Sequence, residues 1–143
     1  MAGYSGTPLP KKLGIAEGSR VVLLHAPPGF DETLGELPVG VRVGRRMVAS
    51  ADVVVVFVDR RAAFEASIAR LERMVFPAGG LWIAWPKRAS KLPTDMTEDV
   101  VREVALPRGL VDNKVCAIDD TWSGLRLVWR KERRAGPPPG ASD

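Results

Sequence analysis

Six consecutive apolar residues, Val53-Val54-Val55-Val56-Phe57-Val58, constrain the fold more than any other feature of the sequence. A strand with apolar side chains on both faces needs cover on both faces. That is the condition of a central strand in a parallel sheet with helices above and below it. The residues that follow supply the crossover. Asp59 is suited to cap a helix, and Phe64, Ile68, Leu71 and Val75 then fall on one helical stripe. Pro77, Gly79 and Gly80 stop that helix, and Leu81-Trp82-Ile83-Ala84-Trp85 reads as the next strand. Strand, helix and strand in this order predict two parallel strands joined by a right-handed crossover.

The flanking segments extend the same plan. Arg20 to Leu24 reads as a buried strand ended by Pro27-Pro28-Gly29, and Phe30 to Leu37 as one or two helical turns. Val39, Val41 and Val43 alternate as a short strand would. A second helix starts near Thr97, where Glu98 and Asp99 suit the positive end of the helix dipole, and Pro107 and Gly109 end it. Val100, Val101, Val104 and Ala105 form its inner face. Val115 to Ile118 is a strand, Asp119 to Gly124 a turn, and Leu125, Leu127 and Trp129 alternate along a final antiparallel strand. The expected architecture is an α/β fold: an open, mostly parallel sheet ending in an antiparallel C-terminal hairpin, with helices on both faces.

At 143 residues the chain has room for one domain, expected over residues 20–134. Residues 1–19 read as an N-terminal arm with at most a short helix near Leu9 to Leu13. Residues 135–143, with three consecutive prolines, read as a disordered tail. A single cysteine excludes an intrachain disulfide, and one histidine beside it excludes a zinc site of the usual Cys/His kind. The longest apolar run is far too short to span a bilayer, and no basic-then-apolar signal opens the sequence. A cytoplasmic protein is the expectation. The net charge of +4 comes from Arg126, Arg130, Lys131, Arg133 and Arg134 against Glu132, since the remainder balances. Without a reading helix, or aromatics interleaved with the cations, nucleic-acid binding is expected to be weak and non-specific at most, through that basic end.

In open α/β sheets, ligands bind beyond the carboxyl ends of the parallel strands. Four segments should meet there: 25–30, 59–61, 85–95 and 119–123. The third is long for a loop between strand and helix, and it carries Lys87, Arg88 and Lys91, which suit a phosphate or carboxylate if they point inward. The other reading is a solvated basic loop. Ser90, Thr94 and Trp122 are expected to shape the rim of such a site. His25 is either an acid or base or a structural hydrogen-bonding residue. Asp119 is either one of a carboxylate pair with Asp120 or an ordinary turn residue. Trp122 covers a ligand or packs over the sheet edge. Cys116 reads as a buried small residue, and no metal site is expected.

The order of elements resembles the Rossmann-like fold of S-adenosylmethionine-dependent methyltransferases, from about Leu13 to Arg130. Gly18-Ser19-Arg20-Val21-Val22-Leu23-Leu24 looks like the approach to their first strand, and Phe76-Pro77-Ala78-Gly79-Gly80-Leu81-Trp82-Ile83 like the approach to their fifth. Three further stretches, 85–90, 109–116 and 121–126, resemble a small bacterial family of uncharacterised proteins classed as a domain of unknown function. The methyltransferase resemblance implies an acidic residue and glycines at the end of the first strand. Leu23, His25 and Pro27 stand there instead; His25 and Pro27 add bulk, and the proline also removes a donor. It also implies that the last strand lies between two others, where Arg126 and Arg130 share one face. Those side chains then either reach past the rim or mark a more exposed strand.

These readings give a methyltransferase-like binding domain, a pseudoenzyme with no cofactor and without S-adenosylmethionine-dependent activity. Its basic crevice would take an anionic small molecule or protein partner, with no membrane involved. The alternative is a reduced methyltransferase, or another enzyme acting on an anionic substrate.

Overall fold

The valine run is buried along its whole length, at the centre of a six-stranded sheet. The computed structural model describes residues 6–139. In chain order the elements are α1 (Leu9–Lys12), β1 (Arg20–Leu24), α2 (Phe30–Leu34), β2 (Arg42–Gly44), β3 (Val53–Phe57), α3 (Arg61–Met74), β4 (Gly80–Pro86), α4 (Glu98–Ala105), β5 (Leu110–Ala117), β6 (Trp122–Trp129) and α5 (Lys131–Arg134). The strand order is β2-β1-β3-β4-β6-β5. The first four of these strands run parallel, and β6 is antiparallel to both of its neighbours. The fold is α/β and Rossmann-like, as expected.

Two cores flank the sheet. On one face α3 and α4 bury Phe64, Ile68, Leu71 and Val101 against Val54, Val56, Leu81, Ile83, Leu125 and Leu127. Full burial of each such side chain contributes roughly 1.5–3 kcal/mol. On the other face the cover is shorter: α2 supplies Phe30 and Leu34, and the segment after α1 supplies Leu13 and Ile15. Those last two residues lie in the stretch read as an arm, and both are buried in the domain's own core. The indole Nε1 of Trp82 donates to the Leu13 carbonyl at 3.0 Å and ties that segment to the middle of the sheet. Of the tail, residues 140–143 lie outside the described residues.

Several local features differ from the sequence reading. Asp59 does not cap α3: Arg60 holds the N-cap position without a side-chain bond, and Asp95 Oδ1 accepts from the Arg61 amide at 2.7 Å. A residue 34 positions away in sequence thus does the work of a local cap. The strand expected from Val39 begins only at Arg42. A turn bonding the Val41 amide to the Pro38 carbonyl leaves Val39 79% exposed. Strand β5 opens at Leu110, earlier than expected, because Gly109 turns the chain from the 3-10 turn after α4, Leu106–Arg108, into the sheet with φ 101°. Thr97 caps α4 as expected, accepting from the Val100 amide at 3.1 Å. The arginine question is settled by packing: β6 does lie between β4 and β5, and Arg126 is half-buried against Gly80. A Cβ on Gly80 would sit 2.5 Å from Arg126 Nε, so the glycine leaves room for that side chain.

Buried Glu72 had no counterpart in the sequence reading. It faces Arg108, whose Nε and Nη2 donate to its two oxygens at 2.5 and 3.2 Å. Its backbone carbonyl takes the Trp129 indole N–H at 2.9 Å. These bonds fasten the end of α3 to β6 and to the turn after α4. The carboxylate also raises the pKa of Arg108.

Candidate functional site

The carboxyl ends of β1, β3 and β4 open on one rim of the sheet, and the turn between β5 and β6 closes it. The loop after β4 is long, yet its own side chains pin it. The Lys87 amide donates to the Thr121 carbonyl at 2.7 Å, which joins the loop to the β5–β6 turn. Ser90 Oγ donates to the Lys87 carbonyl at 2.6 Å and accepts from the Leu92 amide at 3.2 Å. Thr94 Oγ1 donates to the Asp59 carbonyl at 2.8 Å and accepts from the Met96 amide at 2.9 Å. With Asp95 capping α3 and Met96 buried, the loop is a fixed part of the rim.

Beneath the loop lies a cavity of about 470 Å³, bordered by Lys87, Arg88, Lys91, Thr94, Met96 and Ser123. No ion pair among the described residues engages Lys87, Arg88 or Lys91. Among the described residues, the one carboxylate bordering the cavity, Glu98, is paired with Arg102. Its positive field is therefore not cancelled by contact, the condition for attracting an anion. The hydroxyl of Ser90 serves the loop's own backbone, and that of Thr94 joins the loop to the end of β3 at Asp59.

Trp122 stands elsewhere. It packs edge-on against Phe57 at 5.1 Å, and Phe57 in turn against Phe30 at 4.9 Å. It borders a second cavity, of about 410 Å³, with Leu24, His25, Phe57, Asp59 and Ser67. The chain leaves β1 toward β2 on one side and returns to β3 on the other, so this cavity sits at the topological switch point of the sheet. The sequence places His25, Asp59 and Trp122 in segments that meet at the rim, and the capping role it suggests for Asp59 is filled by Asp95.

His25 holds a left-handed backbone with φ 60°, a conformation uncommon outside glycine. Its ring is exposed and makes no hydrogen bond to the described residues, so it is not a structural hydrogen-bonding histidine there. Asp119 is a turn residue: its Oδ1 accepts from the amides of Thr121 and Trp122, both at 2.8 Å. No hydrogen bond joins it to His25. Cys116 is half-buried, and burial pushes its thiol pKa up. Among the described residues no group of three His, Cys, Asp or Glu side chains gathers to hold a metal, and no helix is long and apolar enough to cross a membrane.

A parallel sheet with an antiparallel strand inserted before its last member, and a rim at the carboxyl ends, is the Rossmann-like fold of S-adenosylmethionine-dependent methyltransferases. Solved structures carry it at low identity. A SAM-dependent methyltransferase from Aquifex aeolicus matches with a TM-score of 0.55 and 14% identity, over 82% of this chain and 85% of that one. A release-factor-specific protein-(glutamine-N5) methyltransferase from Alicyclobacillus acidocaldarius matches at 0.51 and 15%, over 85% and 87%. An O-methyltransferase from neocarzinostatin biosynthesis, solved with S-adenosylmethionine, matches at 0.54 and 12%, over 83% and 50%. No protein-family model matches the chain, and no curated protein matches it by sequence.

Proposed function

We propose that this protein is a binding domain on a methyltransferase-type fold, which holds an anionic small molecule or an anionic segment of a protein partner at its carboxyl rim. One observation carries the reading. Lys87, Arg88 and Lys91 border a cavity on a loop fixed by its own hydrogen bonds, and no acid among the described residues pairs with them. Preorganised cations bind anions with little ordering cost. The finer resemblance to a bacterial family of uncharacterised proteins brings no activity with it.

The residues present do not fit S-adenosylmethionine in the manner the fold implies. The first strand runs into His25, whose side chain projects from a left-handed backbone, and then into Ala26-Pro27-Pro28. Strand β2 is three residues long, and the cations Arg45-Arg46 follow it. Arg45 Nη2 meets Asp31 Oδ1 at 2.6 Å, so this carboxylate beside the strand end already has a cation as its partner. Isothermal calorimetry with S-adenosylmethionine and S-adenosylhomocysteine is expected to detect no binding at micromolar concentration. Micromolar affinity for either would overturn the cofactor-loss reading.

A second reading rests on His25. An unbonded imidazole at the switch-point cavity, beside Asp59 and Trp122, supports an acid or base role for His25 in an enzyme. In that case His25→Ala should lower turnover by about 10²-fold or more, the scale of general acid–base catalysis. An activity unaffected by the substitution would remove His25 from the chemistry.

A further inference from the structure

On the face of the sheet away from α3 and α4, the outer strands β5 and β6 gather cations that sequence position keeps apart. Lys114 lies directly opposite Arg126 in the antiparallel register, beside the pair Cys116 and Gly124. Neither has an acid as an ion-pair partner among the described residues. Lys114 Nζ turns toward α1 and donates to the Lys12 carbonyl at 3.0 Å. Arg126 lies over the bare Cα of Gly80, and Arg134 reaches the same corner from α5, its Nε donating to the Trp129 carbonyl at 2.9 Å. Exposed Arg130 stands where β6 leaves the sheet.

Every ion pair among the described residues lies elsewhere, and none includes Lys114, Arg126, Arg130 or Arg134. The local titrations agree. Burial and then Arg134 push the Arg126 guanidinium below its ordinary pKa, and burial raises the Cys116 thiol, with Lys12 and Lys114 opposing it. Each group feels cations and no acid.

We propose that this half-face of β5 and β6 binds the phosphodiester backbone of nucleic acid without reading base sequence. The choice of a phosphodiester over an acidic peptide follows from what the surface lacks. Trp82 and Trp129 are buried, Val39, Val43 and Leu92 are exposed away from β5 and β6, and Val115, on β5 itself, pairs with Leu125 and so points to the opposite face. A peptide of low charge density would find no apolar anchor, and anchors carry most protein–protein affinity. A phosphodiester needs none, because release of its condensed counterions supplies the free energy. The site is separate from the cavity at Lys87, Arg88 and Lys91, and it stands or falls independently of that reading.

The test is fluorescence anisotropy of the full chain with a labelled, mixed-sequence DNA duplex of about 20 base pairs, across a salt series. Neutralising about four phosphates predicts a slope of log K against log salt of about −3 to −4. The variant Lys114→Gln/Arg126→Gln should bind about 10- to 100-fold more weakly at low salt, with the slope shallower by about two. Exposed Lys114→Gln alone should lose about one unit of slope, which keeps the test valid if the double variant is poorly folded. Arg126→Lys should retain the slope, and Arg70→Gln/Arg73→Gln, on exposed positions of α3 across the sheet, should leave binding unchanged. Any of three results would overturn the proposal: no change of slope in the Lys114 variants, loss of binding in the Arg70/Arg73 variant, or polyglutamate competing as well as DNA at equal charge.

Discussion

Trp82→Ala is expected to destabilise the protein by about 3–5 kcal/mol, the range for removing a fully buried aromatic side chain. The indole has no solvent exposure and lies in the middle strand of the thinner core, where its edge fills the space left by Gly124. Its removal opens a cavity and also strips the Leu13 carbonyl of its N–H partner. A domain of this size has only about 5–15 kcal/mol of stability to lose. Trp82→Phe, which keeps most of the apolar volume, should cost about 1–3 kcal/mol, dominated by the unmet carbonyl. Urea denaturation of the two variants is the measurement. If Trp82→Ala cost less than about 1 kcal/mol, the segment bearing Leu13 and Ile15 would not be docked on the sheet as described.

Neutralising the loop cations should act on binding and spare the fold. In a thermal-shift screen of phosphorylated and carboxylated metabolites, Lys87→Ala, Arg88→Ala and Lys91→Ala should each weaken a ligand they contact by about 1–3 kcal/mol, or roughly 5- to 150-fold. The melting temperature without ligand should barely change, because exposed charges contribute about a few tenths of a kcal/mol. The loop is held instead by Ser90, Thr94 and Asp95, none of which these substitutions touch. Unchanged ligand shifts in all three variants would make the loop a solvated surface. A large fall in melting temperature would make the three cations structural and move the site elsewhere.

The parallel core was legible because its physics is periodic and local. A run of Val53 to Val58 with no polar face admits a central strand and little else, and the stripe Phe64, Ile68, Leu71 and Val75 has one way to face it. The capping of α4 by Thr97 was legible for the same reason, since cap and amide lie three residues apart. The four segments at the carboxyl rim followed from the direction of those strands.

Tertiary structure alone decided what depends on partners distant in sequence. Asp95 caps α3 across 34 residues, and Leu13 meets Trp82 across 69, so neither bond leaves a trace in local spacing. The arm looked detached because Gly, Pro and Lys dominate its composition, whereas two apolar side chains and one carbonyl suffice to dock it. His25 and Trp122 share a cavity, while Lys87, Arg88 and Lys91 border another, because β1 and β4 flank β3 on opposite sides. The basicity assigned to the C-terminal end also proved to be a matter of register. Arg126 belongs with Lys114 and Gly80 through pairings that only the folded sheet creates. A sequence specifies side-chain periodicity along each element, but which charges become neighbours is set by how the elements pack.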